Sequence, residues 1–270
     1  MRLRLVPLLL AALAVMIPSH ATAQTSWAPA GTAPIHPGVQ TFTEGAQCTA
    51  NFVFTNGSDV LIGQAAHCAG LGAATDTNGC EAETLPLGTP VEVDGASRLG
   101  TLVYSSWVTM QGNGESDADT CAYNDFALVK LDPADVGSVN PSVPSWGGPT
   151  ALGATSSTFD KVYTYGNSSL RFGLTPTSPK EGYSLGQSAG GWTHDIYTVT
   201  PGIPGDSGSG ILSADGAALG TLSTVALLPF PASNGVGDLA HEVAYARQRG
   251  GFTGLQLALG TEPFAGGLLP

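Results

Sequence analysis

Three short stretches of the chain hold residue types that can carry acyl-transfer chemistry. The first is Gly205-Asp206-Ser207-Gly208-Ser209-Gly210. A nucleophilic hydroxyl works best at a tight turn, where flanking glycines let a substrate carbonyl approach the backbone. Backbone N–H groups there can aim at a developing oxyanion, and the amides of Gly205 and Ser207 would be those donors. The same residue types also make plain polar turns. The second stretch is Ala65-Ala66-His67-Cys68. A histidine that follows an apolar strand and is pinned by a neighbouring half-cystine has the restricted placement a general base needs. A lone histidine in that setting is more often structural. The third is Asn124-Asp125-Phe126-Ala127-Leu128-Val129-Lys130-Leu131. An acid that opens an apolar strand is either a surface charge or a buried partner. A buried aspartate bonded to an imidazole holds the correct tautomer and stabilises the imidazolium.

Together these stretches resemble the histidine, aspartate and serine boxes of the chymotrypsin-like serine proteases, in particular their exported bacterial members. They occur in that family's His, Asp, Ser order, which differs from the orders in subtilisin-like and α/β-hydrolase enzymes. The resemblance runs from Cys48 to Val225. It implies an endopeptidase with Ser207 as nucleophile, His67 as general base and then acid, and Asp125 as the orienting carboxylate. The backbones of Gly205 and Ser207 would form the oxyanion hole. It also implies a disulfide between Cys48 and Cys68, matching the bridge around the family's histidine loop, which leaves Cys80 for Cys121. Leu219 to Val225 would be the strand that pairs with substrate backbone, with Ser223 near Asp125.

Two departures bear on mechanism. No Ile-Val-Gly-Gly sequence is present to supply a new amino terminus to Asp206, so another cation must meet that carboxylate; Lys161 and Arg171 are the candidates. The family's disulfides flanking the active serine are missing. For specificity, Pro201 stands where an acid would select basic side chains, and Val225 stands where many members have glycine. With Ser223 and Thr224 beside it, this pattern predicts cleavage after small or medium apolar residues.

The elements that must position these groups are short. With 37 Gly and 19 Pro, the chain is cut often by turns. The segments between are rich in Val, Thr, Leu and Tyr, which favours strands. Strands are predicted at Cys48–Phe54, Val60–Ile62, Val91–Val93, Thr101–Ser106, Phe126–Leu131, Lys161–Tyr165, Thr193–Thr200, Gly210–Ser213 and Ala217–Val225, with a last one through Leu255, Leu257 and Leu259. Asn56-Gly57 marks a hairpin. Asp238 is placed to cap a short helix through Arg247 that ends at Gly250-Gly251. The expected fold is all-β: two packed antiparallel β-barrels with a short helix near the C-terminus. The expected divisions are residues 1–23 (signal peptide), 24–46 (N-terminal segment: a pro-segment, a tail or a strand on the core), 47–133 (first barrel, with His and Asp), 134–157 (connection) and 158–270 (second barrel, with Ser).

Met1-Arg2-Leu3-Arg4, the apolar run Leu5 to Ile17 and Ala21-Thr22-Ala23 follow the order of a secretory leader. The run is short for a bilayer span, so secretion is expected in preference to a membrane anchor. The chain has nine basic and 21 acidic residues. Loss of Arg2 and Arg4 with the leader leaves seven basic against 21 acidic, a formal −14. Such a protein is repelled by nucleic acid and anionic membranes. Four cysteines in an exported chain fit two disulfides. No metal site is expected, since the adjacent His67 and Cys68 are poorly placed to share a tetrahedral ion. Asp76-Thr77-Asn78-Gly79 resembles the start of a calcium loop but lacks the later acid. No cofactor motif is present, and a monomer acting on polypeptides is expected. The competing readings are a silent homologue that binds an extracellular partner and an ester hydrolase using the same triad.

Overall fold

The computed structural model describes residues 26–73, 76–153, 155–226 and 231–267. The expected leader therefore lies outside the described residues. Seven strands come first: β1 (Gln40–Thr43), β2 (Ala46–Thr49), β3 (Val53–Asn56), β4 (Asp59–Gln64), β5 (Pro90–Val93), β6 (Gly100–Ser105) and β7 (Ala127–Lys130). Two helices, α1 (Ser106–Asn113) and α2 (Ala118–Tyr123), interrupt the path from β6 to β7. Six more strands follow: β8 (Lys161–Tyr165), β9 (Pro179–Ser188), β10 (Thr193–Thr198), β11 (Gly210–Leu212), β12 (Ala218–Ala226) and β13 (Ser233–Asp238). Helix α3 (Leu239–Arg249) and strand β14 (Leu255–Leu257) close the chain.

The strands form two antiparallel units. The first is an eight-stranded sheet in the order β14-β3-β4-β7-β6-β5-β1-β2, and the second a closed barrel in the order β10-β13-β12-β11-β8-β9. β1 arises within residues 24–46, pairing Thr41 with Cys48 and with Val93, so the first sheet begins upstream of residue 47. β14 crosses back from the second unit and pairs Leu255 with Asn56. The expected single strand Cys48–Phe54 is two strands. Asn51 sits between them, fully buried, its Oδ1 accepting from the Phe52 amide at 2.6 Å and its Nδ2 donating to Thr221 Oγ1 at 3.4 Å. An inward-facing amide of this kind breaks the ladder because its polar atoms need partners of their own.

Among the described residues, three larger apolar clusters hold the units. Val53, Ile62, Leu102 and Val129 belong to the core of the first sheet. Val162, Ile196, Ile211, Leu219, Leu222 and Val236 fill the closed barrel. Between the units, Phe52, Phe54, Phe126, Trp146 and Tyr163 pack with Leu239, Val243 and Ala246 of α3. Each fully buried side chain of this size contributes about 1.5–3 kcal/mol relative to exposure. Trp146, in the connection, also donates Nε1–H to Thr164 O at 2.9 Å, fastening that segment to β8. Asp238 caps α3 as its spacing predicts, accepting from the His241 amide at 2.9 Å. Among the described residues, no helix is long and apolar enough to cross a membrane.

Candidate active site

His67 follows β4 in a single 3-10 turn, Ala66–Ala69. The neighbouring Cys68 is bonded to Cys48 of β2, and the second disulfide joins Cys80 to Cys121 of α2. Asp125 leaves the C-terminus of α2 with its backbone clamped. Ser106 Oγ donates to Asn124 O at 2.7 Å and accepts from the Phe126 amide at 3.1 Å, so the residues on both sides of Asp125 are held by one hydroxyl. The carboxylate is thereby presented to His67 twice: Oδ1 accepts from the His67 amide at 2.8 Å, and Oδ2 accepts from Nδ1 at 2.6 Å. An ionised carboxylate can only accept, so Nδ1 carries the proton and Nε2 is left as the basic nitrogen. Ser223 Oγ, on β12, donates to the same Oδ2 at 2.5 Å. Asp117 caps α2 by accepting from the Thr120 amide at 2.9 Å.

The electrostatics follow from this geometry. Burial drives the Asp125 pKa up, but the charge of His67 and the hydrogen bonds from His67 and Ser223 bring it below the usual carboxylate value. Burial lowers the His67 pKa while the Asp125 carboxylate raises it by more, so the net shift is upward from 6.5. Near Asp125 lies a residue the sequence did not single out, Glu242 of α3. It is fully buried and accepts from Thr221 Oγ1 at 2.8 Å. Burial pushes its pKa far up, and the negative charges of Asp125 and Asp238 add to the shift.

Ser207 sits in the turn before β11, half-buried. Its carbonyl accepts from the Thr49 amide at 2.8 Å, and the next amide, Gly208, donates to Leu222 O at 2.7 Å. The serine is thus tied to one strand of each unit. Gly208 has φ +87°, and a Cβ there would lie 2.5 Å from Thr49 O, so the turn requires glycine. Among the described residues, Ser207 and His67 form no hydrogen bond. Both line one cleft of about 550 Å³, with Asp125, Gly205, Ser223, Thr224 and Val225. Such bonds are often long in unliganded enzymes and tighten on the substrate.

Asp206 points the other way, into the protein. It accepts from Lys180 Nζ at 2.5 Å, Arg171 Nη2 at 2.7 Å and the amides of Ser168 and Ile203 at 3.0 and 3.1 Å. Burial would raise its pKa, and the charges of Lys180 and Arg171 outweigh that and hold it below the usual range. Arg171 was one expected partner; Lys161 is not, because it pairs with Glu181 at 3.3 Å. Lys180, fully buried on β9, does that work.

The specificity residues are distributed unevenly. Val225 lies at the cleft rim, 53% exposed, instead of narrowing an enclosed pocket. Pro201 does not line the cleft; its carbonyl accepts from Arg171 at 3.2 Å. The buried Asn234, not anticipated from sequence, links the segment before Ser207 to β12: Oδ1 accepts from the Gly202 amide at 2.8 Å and Nδ2 donates to Thr224 O at 3.1 Å.

A second Ser–His–Asp chain lies in the closed barrel. Ser156 Oγ meets His194 Nδ1 at 2.8 Å, and His194 Nε2 meets Asp238 Oδ2 at 2.9 Å. His194 is fully buried and none of the three lines the cleft of Ser207. Because Asp238 also caps α3, this chain fastens the helix to the barrel. Asp76 accepts from the Ala73 amide at 2.9 Å.

No protein-family model and no curated protein sequence matches the chain. Among solved structures it is similar to protease A of Thermobifida fusca, at 18% identity and a TM-score of 0.52, covering 84% of this chain and 99% of that one. It is also similar to a glutamic acid-specific serine protease that uses a histidine triad in substrate binding. That match has 16% identity and a TM-score of 0.51, with 83% of this chain and all of that one covered. The fold is the chymotrypsin-like double barrel. Its closed barrel carries the serine turn, and its antiparallel sheet carries the histidine and aspartate.

Proposed function

We propose that the protein is a secreted serine endopeptidase in which His67, Asp125 and Ser207 form the catalytic triad. The observation that carries this reading is the doubly bonded Asp125–His67 pair opening onto the same cleft as Ser207. Ser207 Oγ attacks the peptide carbonyl carbon while His67 Nε2 takes its proton. The tetrahedral oxyanion is received by the amides of Gly205 and Ser207. His67 then returns the proton to the leaving amine, giving an acyl-enzyme that water hydrolyses by the same steps. The cations on Asp206 are internal side chains, so formation of the site does not depend on freeing an amino terminus. Two disulfides and the leader-like N-terminus support export.

Polypeptides with small or medium apolar residues before the scissile bond are the favoured substrates. This preference is the one the family resemblance suggests at Pro201, Ser223, Thr224 and Val225. Among the described residues, the cleft lining contains no Lys or Arg and a single His, and includes the apolar Leu222, Val225, Ile203 and Trp107.

The test is fluorophosphonate labelling of the purified protein with mapping of the modified residue, alongside peptide and ester substrates. Labelling at Ser207 that disappears in His67→Ala, with peptide turnover cut about 10⁶-fold in Ser207→Ala, is the expected result. A folded protein that takes no label is instead a silent binding homologue, and one that cleaves esters but no peptide is an esterase.

A further inference from the structure

The two amides assigned to the oxyanion share one arrangement. Among the described residues, neither the Gly205 nor the Ser207 N–H has a protein acceptor, whereas those of Asp206, Gly208 and Ser209 do. Each free N–H belongs to a trans peptide whose carbonyl points to the opposite side, and each of those carbonyls is held. For Gly205 the carbonyl is that of Pro204, which accepts from Ser168 Oγ at 2.5 Å. For Ser207 it is that of Asp206, which accepts from the Ser209 amide at 3.0 Å and Ser209 Oγ at 2.6 Å.

We infer that Ser168 is a positioning residue for the oxyanion hole: by holding the Pro204 carbonyl it fixes the Gly205 N–H toward the cleft. The inference rests on the protease reading of the same site. Rotation of the Pro204–Gly205 peptide would turn the N–H away and leave a carbonyl in its place, repelling the oxyanion. Two features set Ser168 apart from Ser209. Among the described residues its hydroxyl is the single donor to Pro204 O, whereas Asp206 O keeps a backbone bond if Ser209 Oγ is lost. Ser168 is also rigidly placed. It is 2% exposed, its amide donates to Asp206 Oδ1 at 3.0 Å, and its Oγ accepts from the Leu170 amide at 3.2 Å. The buried Lys180–Asp206–Arg171 cluster therefore reaches the catalytic amide through Ser168. Gln47 Nε2 and Thr49 Oγ1 hold the next carbonyl, Gly205 O, at 3.0 and 2.7 Å, steadying the other side of Gly205.

The experiment compares Ser168→Ala and Ser209→Ala with the wild-type protein by kcat, KM and affinity for a peptide boronate, which forms a tetrahedral adduct on Ser207. Removing an oxyanion donor outright costs about 10²–10³ in kcat, so loosening one should cost about 30-fold. Ser168→Ala is expected to lose that factor in kcat and a similar factor in boronate affinity, with KM unchanged. Ser209→Ala should lose less than about 3-fold, since the backbone bond remains. Should Ser168→Ala not fold, Ser168→Cys keeps the shape with a weaker donor and should show the same pattern at smaller size. Wild-type kcat in either Ser168 variant, or a loss confined to KM, overturns the inference while leaving the protease reading intact. A wild-type protein with no turnover and no label overturns both.

Discussion

Asp125 and Asp206 are both buried carboxylates beside the same cleft, and they have opposite surroundings. Asp125 faces an imidazole, Ser223 and one amide, and its partner His67 keeps 28% of its side chain exposed. Asp206 faces two cationic side chains, Lys180 at 1% and Arg171 at 12% exposure. A titratable partner open to solvent can exchange a proton with a substrate; a buried lysine and an arginine turned onto Asp206 are not placed to do so. The first arrangement suits proton transfer and the second suits rigidity, although the two aspartates belong to the same kind of motif, an acid next to reactive machinery.

The largest effect that would sharpen this contrast is in Asp125→Asn. Its amide would favour the wrong imidazole tautomer, and kcat should fall about 10⁴-fold, an effect on turnover larger than that on stability. If full activity survives, Asp125 is not the orienting acid. Lys180→Met should show the reverse pattern. It leaves Asp206 buried with one cation fewer, which costs about 3–5 kcal/mol when a buried pair is broken. Chemical denaturation would show this as a lower midpoint. Arg171→Met, at a partly exposed position, should cost less than Lys180→Met; equal losses would mean that burial does not distinguish the two cations.

The smallest and most specific effect is in pH dependence. The His67 pKa is raised, and the general base must be neutral, so the acid limb of kcat/KM should lie above 6.5 and move down in Asp125→Asn. The stability that the His67–Asp125 pair contributes is complete below the unfolded histidine pKa and is lost as pH rises through the raised folded value. Asp206 behaves oppositely. Its folded pKa is lowered, so its contribution is present above about pH 4 and is lost as pH falls through that depressed value. Acid unfolding followed by circular dichroism should shift to higher pH in Lys180→Met. An unchanged acid midpoint would show that the cluster does not set acid stability.

The residues of the proposed triad were legible because each sits in a short local pattern: a glycine turn, a histidine before a cysteine, an acid before an apolar strand. Their supports were not. Lys180 lies on β9, whose sequence Pro179 to Ser188 holds Gly182 and Gly186 and has no apolar alternation, so neither the strand nor its inward face was apparent. Lys161 was the more visible cation because its strand β8 reads clearly, but its side chain meets Glu181. Helices α1 and α2 are short, and the hydroxyl of Ser106 that clamps Asp125 looks like any other helix-start serine. Asn234 lies in Ser233-Asn234-Gly235, which reads as a turn; pairing with β12 and β10 makes it a strand. Propensity yielded to tertiary pairing at these places, as it does where contacts are distant in sequence.

The return of β14 to β3 has a consequence for timing. The sheet that carries His67 and Asp125 receives one of its edge strands from the last part of the chain, where Leu255 pairs with Asn56. A polypeptide made from its N-terminus cannot close that sheet until its final segment is available. The sheet that bears His67 and Asp125 thus gains its last edge strand only after the serine turn has been synthesised.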